Sequence, residues 1–282
     1  MLNVLSVDVE DYFQVEAFAA CVARDRWDSY PARVERNVPR ILDLFDRHSA
    51  RGTFFVLAWV AQRFPHLVRE IGARGHEIGC HGYGHQHLRR LTPEEFRRDL
   101  RAARSDLMDQ TQRPLAAYRA PSFSIVKDTL WAFDVLAEEG FTIDSSVFPV
   151  RHDFYGIADA PRFPHWRVTP LGNRIFEFPP STLRIGNHNI GVAGGGYLRF
   201  APYGLTRSAI RRINTKERQP AMVYFHPWEI DPGQPRIPAP VRSRIRHYTN
   251  LRGMEKKIAR LLKDFRFTTI SEACEEVMSH ES

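Results

Sequence analysis

The sequence predicts an α/β fold on a mainly parallel sheet, open or closed into a barrel, and three observations lead there. Short apolar, β-branched segments alternate with longer segments of helical period through the first half of the chain. Glycine closes several of the helical segments, as at Gly75 and Gly140. Polar residues able to do chemistry follow the strand-like segments directly, where parallel α/β sheets carry their ligands: Asp8, His81, Arg119 and His226.

Residues 2–7, Leu-Asn-Val-Leu-Ser-Val, read as a strand running into Asp8, Glu10 and Asp11. Val34, Val38, Ile41, Leu42, Leu44 and Phe45 recur near helical spacing between Arg33 and His48, ahead of Gly52. Residues 53–56 then read as a buried strand, 60–74 as one helix closed by Gly75, and 77–80 as a strand leading to His81. The clearest helix is 92–111, with Thr92 as cap, Pro93 at the first position and Glu95 at the third. A strand over 116–119, a helix over 127–139 and a strand over 141–144 continue the alternation. Later come 175–178, the glycine cluster Gly194-Gly195-Gly196, a helix near 205–214, and the apolar run Met222–Phe225 before His226. Prolines at 227, 232, 235, 238 and 240 require a loop, since proline donates no backbone hydrogen bond. A helix over 251–264 and a strand-like 265–270 follow. About forty residues are marginal for an independent core, so one domain is expected over 1–282, its core at about 1–230 and residues 231–282 closing it.

Composition narrows the class. With 43% hydrophobic and 26% charged residues the chain is globular in type. The apolar stretch Thr53–Ala61 meets Gln62 and Arg63 at once, so no membrane span is expected, while peripheral membrane contact and homo-oligomers stay open. The acidic opening predicts a strand rather than a signal peptide, and hence a cytoplasmic protein. Cys21, Cys80 and Cys274 are an odd number without CxxC spacing, which argues against both a disulfide framework and a Cys-rich zinc site. The net charge of +7 sits in runs such as Arg97-Arg98, Arg211-Arg212 and 242–247. These lack interleaved aromatics, so they read as solvated faces and no nucleic-acid partner is expected.

Two clusters carry chemistry. On a strand Asp8 and Glu10 share one face and Val7 and Val9 the other, so two carboxylates meet at one strand end, able to serve as metal anchor and base. His81-Gly82-Tyr83-Gly84-His85 places two imidazoles four residues apart, and such a pair with a carboxylate suits a borderline divalent metal; its glycines favour a turn over a helix. Taken singly, an acidic strand end is a solvated junction, a His-rich loop is surface, Arg119 a salt-bridge residue, Asp144 a cap and His226 a core histidine. Their shared position after strands weakens those plain explanations.

Asp8-x-Glu10, Gly52-Thr53-Phe54-Phe55, Gly75-His76-Glu77-Ile78-Gly79-Cys80-His81-x-x-x-His85, Arg119-x-Pro121 and Phe225-His226 resemble the ordered motifs of NodB-like polysaccharide deacetylases, carbohydrate esterase family four. The Asp-Val-Glu-Asp-Tyr-Phe opening resembles the branch associated with exopolysaccharide and exosortase-type loci. The resemblance implies a distorted (β/α) barrel of seven or eight mainly parallel strands and one divalent ion, commonly Zn²⁺. It implies Asp8 as catalytic base, Glu10, His81 and His85 as metal ligands, Arg119 as the residue orienting the base and His226 as general acid. Tyr118, Pro121 and Trp228 become candidates for substrate contact. The family pattern has adjacent aspartates where this chain has Asp8-Val9-Glu10, which leaves Asp11 as a competitor for Glu10. Asp144 or Asp153 could tune the acid histidine.

The expected reaction is metal-dependent hydrolysis of N-acetyl groups on an amino-sugar polysaccharide or oligosaccharide, in exopolysaccharide biosynthesis, with the oxyanion met by a backbone donor near 118–120. One rival is an amidohydrolase for a small cyclic amide or ureide. A polymer groove would need aromatic platforms, for which Tyr12, Phe13, Phe123, Phe154, Tyr155, Trp166 and Trp228 are candidates. Another rival is a catalytically silent carbohydrate-binding protein.

Overall fold

The computed structural model describes residues 1–169, 171–192 and 194–281. Its strands are β1 (Asn3–Val9), β2 (Thr53–Val56), β3 (Glu77–Cys80), β4 (Ala117–Tyr118), β5 (Ile143–Asp144), β6 (His165–Val168), β7 (Arg174–Glu177), β8 (Thr182–Ile185), β9 (His188–Gly191), β10 (Met222–Phe225) and β11 (Phe267–Thr268). They form a mixed sheet in the order β10-β1-β2-β3-β4-β5-β7-β6, curled into a half-barrel with helices around it; β11 adds to β1, and β8-β9 is a separate hairpin. Every pairing in the large sheet is parallel except β6 with β7.

Every residue of β1, β2 and β10 is buried. Such strands are covered on both faces, which is why they read as apolar runs. Register aligns their ends: Val7 pairs with both Phe225 and Phe54, Val56 with Cys80, Cys80 with Tyr118, and Tyr118 with Asp144. Residues just past these positions therefore emerge on one rim. Gly194 makes a β-bridge to Tyr224, and a side chain there would meet the Tyr224 ring at 1.9 Å. Part of the glycine cluster is thus explained by close packing on β10.

The helix expected over 60–74 is two helices, Ala58–Arg63 and Pro65–Ala73. Pro65 lacks an N–H and drives Phe64 out of helical geometry, to φ −128° and ψ 58°. The helix over 92–111 has the expected cap: Thr92 accepts from the Glu95 N–H, and Glu95 reaches back to the Thr92 N–H. Among the described residues beyond 240 there are three α-helices rather than one, at Val241–Tyr248, Met254–Asp264 and Ile270–Glu281. The last buries Ile270, Ala273 and Cys274 with Val4 and Met222, so the C-terminal segment shares the core of β1 and β10. The β8-β9 hairpin turns at Gly186-Asn187, a dipeptide of the hairpin type, and carries exposed Ile185 and Ile190. No described helix is long and apolar enough to cross a membrane.

Candidate active site

Six strand ends meet on the rim. Asp8 and Glu10 leave β1 on one face, as period two requires, and each is 2% exposed. His81 follows β3, Arg119 follows β4 and His226 follows β10. The loop between His81 and His85 is a turn, with Gly82 at φ +74° and His85 itself at φ +49°. A non-glycine residue in that region is uncommon. Asp99 holds the turn by accepting the Tyr83 N–H at 2.9 Å.

One ligand atom from each of Glu10, His81 and His85 lies within 4.8 Å of the other two, and all three residues are buried. The His81 Nδ1 donates to the Arg119 carbonyl at 2.7 Å, which fixes the tautomer and leaves Nε2 a free lone pair. Glu10 Oε2 is buried and takes no hydrogen bond, although His85 Nε2 is 2.6 Å away. A buried carboxylate oxygen and two imidazole nitrogens converging within 4.8 Å are a donor set that fits a divalent metal. Burial raises the Glu10 carboxyl, but the imidazoles of His85, His226 and His81 more than offset this and hold it at about 2. Burial pushes His81 down to about 4, so it stays neutral and able to ligate at pH 7.

Asp8 stands beside this group, tied to a fully buried guanidinium. Arg119 Nη1 donates to Asp8 Oδ1 at 2.6 Å and to Ser6 Oγ at 2.8 Å, while Nε and Nη2 reach the Ser145 carbonyl and hydroxyl. The guanidinium also lies 4.2 Å from the Phe55 ring centroid. A carboxylate gripped through one oxygen keeps the other, Oδ2, for chemistry.

Close by lies His226, whose Nε2 is 3.8 Å from Asp8 Oδ2 and 3.6 Å from Glu10 Oε1. Its Nδ1 lies 3.3 Å from Glu229 Oε2, and its backbone N–H donates to the same oxygen. Arg199 Nε in turn donates to Glu229 Oε1 at 2.6 Å. Burial lowers the His226 imidazole, yet Glu229, Glu10 and Asp8 outweigh it and raise it to about 9. The side chain keeps 17% exposure, the most open of the group. A carboxylate and an imidazole with a raised pKa thus adjoin one metal-competent cluster, an arrangement suited to hydrolysing an amide.

Residues 26–141 match the family model described as polysaccharide deacetylase. That stretch, less than half of the chain, is thus similar to the polysaccharide deacetylases. Residues 145–275 match a second model, a domain of unknown function, DUF3473. A peptidoglycan-N-acetylglucosamine deacetylase of Bacillus cereus is 39% identical over 62 residues, 22% of each chain. A chitooligosaccharide deacetylase of Bradyrhizobium is 29% identical over 99 residues, 35% of this chain and 43% of that protein. The matches therefore span less than half of these relatives. A Mycobacterium smegmatis protein assigned to the polysaccharide deacetylases shares the fold, with a TM-score of 0.61 at 19% identity over 99% of this chain and 92% of that one. Puue allantoinase does so almost as well, at 0.59 and 16% identity over 97% and 88%.

Against this deacetylase frame several expected roles need correction. Asp11 does not compete for the metal position: Oδ2 accepts the N–H groups of Arg33 and Val34 at 2.6 and 2.9 Å, anchoring the start of the helix Val34–Arg47. Neither Asp144 nor Asp153 reaches His226. Asp144 bonds the Ser146 N–H and hydroxyl and shares a buried carboxyl pair with Glu177, and Asp153 is exposed. Glu229 holds the position instead. Tyr118 is 1% exposed and packs on Phe96 and Phe141, and Pro121 is buried, so neither offers its side chain to a substrate. Trp228, 5% exposed, donates from Nε1 to Glu10 Oε1 at 3.2 Å and stacks between His226 and His247, which makes it a support of the cluster rather than a platform. The backbone donors expected near 118–120 are engaged too: the Arg119 N–H goes to the Cys80 carbonyl and that of Ala120 to Ser146 Oγ. Tyr12, Phe13 and Phe123 are core, whereas Phe154 and Trp166 stay exposed.

Proposed function

We propose that the protein hydrolyses N-acetyl groups of an amino-sugar polysaccharide or oligosaccharide in a metal-dependent reaction, within exopolysaccharide biosynthesis. The observation that supports this is the gathering of Asp8 and His226, 3.8 Å apart, beside the buried Glu10, His81 and His85 cluster. Glu10, His81 and His85 would hold the divalent ion, Zn²⁺ by donor type, which supplies Lewis-acid polarisation of the acetamide carbonyl and a lowered pKa for water. Asp8 Oδ2 takes the proton of the attacking water, while Arg119 fixes the carboxylate in place through Oδ1. His226 gives its proton from Nε2 to the departing amine, and Glu229 keeps that proton on the ring at neutral pH.

The exopolysaccharide setting rests on the opening motif together with the DUF3473 match. The likeness to an allantoinase keeps a small cyclic ureide as the second reading, because the fold fits both. Acetate release from N-acetylated chito-oligosaccharides, with ureide opening followed in parallel on allantoin, tests the choice. We expect acetate from the glycans, lost on chelation and restored by added Zn²⁺. Turnover of allantoin with none of the glycans would overturn the proposal, and turnover of neither in metal-loaded protein would leave a silent binding protein.

A further inference from the structure

Away from the catalytic cluster, a cavity of about 800 Å³ opens between the helix Gly195–Phe200, the 232–236 loop and the start of the helix Met254–Asp264. Its wall carries six cationic side chains, Arg199, Arg236, Arg252, Lys256, Lys257 and Arg260, and no aspartate or glutamate. Two of the six are committed. Arg199 binds Glu229 and two carbonyls, and Lys257 donates to the carbonyls of Leu198, Arg199 and Ala201. The remaining four form no ion pair among the described residues, whereas most other arginines on the chain's first half, such as Arg74 and Arg97, do.

Four unpaired positive charges around one open cavity repel one another, and its concave wall focuses their field. A single carboxylate would neutralise one of them. A diphosphate, with several ionised oxygens, matches the set and takes bidentate bonds from guanidinium forks. Two of these guanidiniums are already held over rings of the same wall: Arg236 over Tyr248 at 4.1 Å and Arg260 over Tyr203 at 5.7 Å. Pro202, Pro232 and Leu251, with a half-exposed Phe200 among the lining residues, supply an apolar surface for whatever carries the anion. From this charge set and cavity we infer a second binding site, for a diphosphate ester. It also gives a place to part of the basic surplus that the catalytic site leaves unused.

The test is calorimetric titration of the full-length, metal-loaded protein with inorganic pyrophosphate, repeated in His85→Ala to separate any capture by the metal. Reversing Arg236 and Arg252 together to Glu is expected to weaken binding at least tenfold while acetate release is kept. Reversing the exposed Arg242 and Arg244, which do not line the cavity, is expected to change it less than twofold. Equal loss in both double variants would reduce the effect to the general field of a basic protein and overturn the site, as would absence of binding or its loss in His85→Ala. UDP-N-acetylglucosamine and farnesyl diphosphate then identify the carrier: binding of either tighter than pyrophosphate supports the ester, and weaker binding of both contradicts it.

Discussion

The base-and-metal side of the site and its acid side are built differently. On the first, Asp8, Glu10, His81 and Arg119 each stand within two residues of a strand end, and their partners are near at hand: a carbonyl for His81, a guanidinium for Asp8. On the second, His226 depends on a relay of buried charge, from Glu229 to Arg199 and on to the carbonyls of His247 and Thr249. The first side comes from β1 and the stretch matching the polysaccharide deacetylase model, the second from the stretch matching DUF3473. Strand ends place most of the one, with the His81–His85 turn held by Asp99, while the other needs three separate segments to dock.

The comparison predicts unequal damage. Arg119→Ala leaves Asp8 buried without its counter-charge, so chemical denaturation should show a loss of about 3–5 kcal/mol. A loss below 1 kcal/mol would mean that water reaches Asp8 and that this side is not rigidly built. Glu229→Gln keeps the size but removes the charge behind His226. We expect kcat to fall about 10–100-fold. Without that anion the imidazolium holds its proton less well, so the alkaline limb of the pH–rate profile moves to lower pH. An unmoved limb would break the relay. The smallest effect belongs to His76, which is buried against Phe45 and Phe54 with neither ring nitrogen bonded. Burial depresses it from 6.5 to about 4. Over that window the unfolded chain binds more protons, so stability falls as pH falls. His76→Phe should flatten that slope and add about 1 kcal/mol at neutral pH, read by thermal melts at pH 5 and pH 7.

The same contrast explains what the sequence disclosed. The strand ends were legible because each is an apolar run stopping at a polar residue, and period two placed Asp8 with Glu10. The capping box at Thr92-Pro93-Glu94-Glu95 was legible from its spacing. His226-Pro227-Trp228-Glu229 repeats that cap, proline and acid spacing, and Glu229 does reach back to the His226 N–H. The signal for the acid's partner was therefore present, hidden by reading every proline after Phe225 as loop. Arg199 carried no such signal, since its pairing with Glu229 spans thirty positions and arises only when the helix Gly195–Phe200 docks. Aromatic residues misled for a related reason: composition does not distinguish a platform from a core ring, and Tyr12 and Phe13 are core.

The central claim is that His226 and Asp8 act as acid and base on one substrate. Steady-state acetate release should be measured for His226→Ala and Asp8→Asn, with metal content and far-UV spectra recorded for each. Each variant is expected to lose about 10²–10⁴-fold in kcat while folding normally and binding metal. A metal-loaded His226→Ala enzyme within threefold of the parent would contradict it.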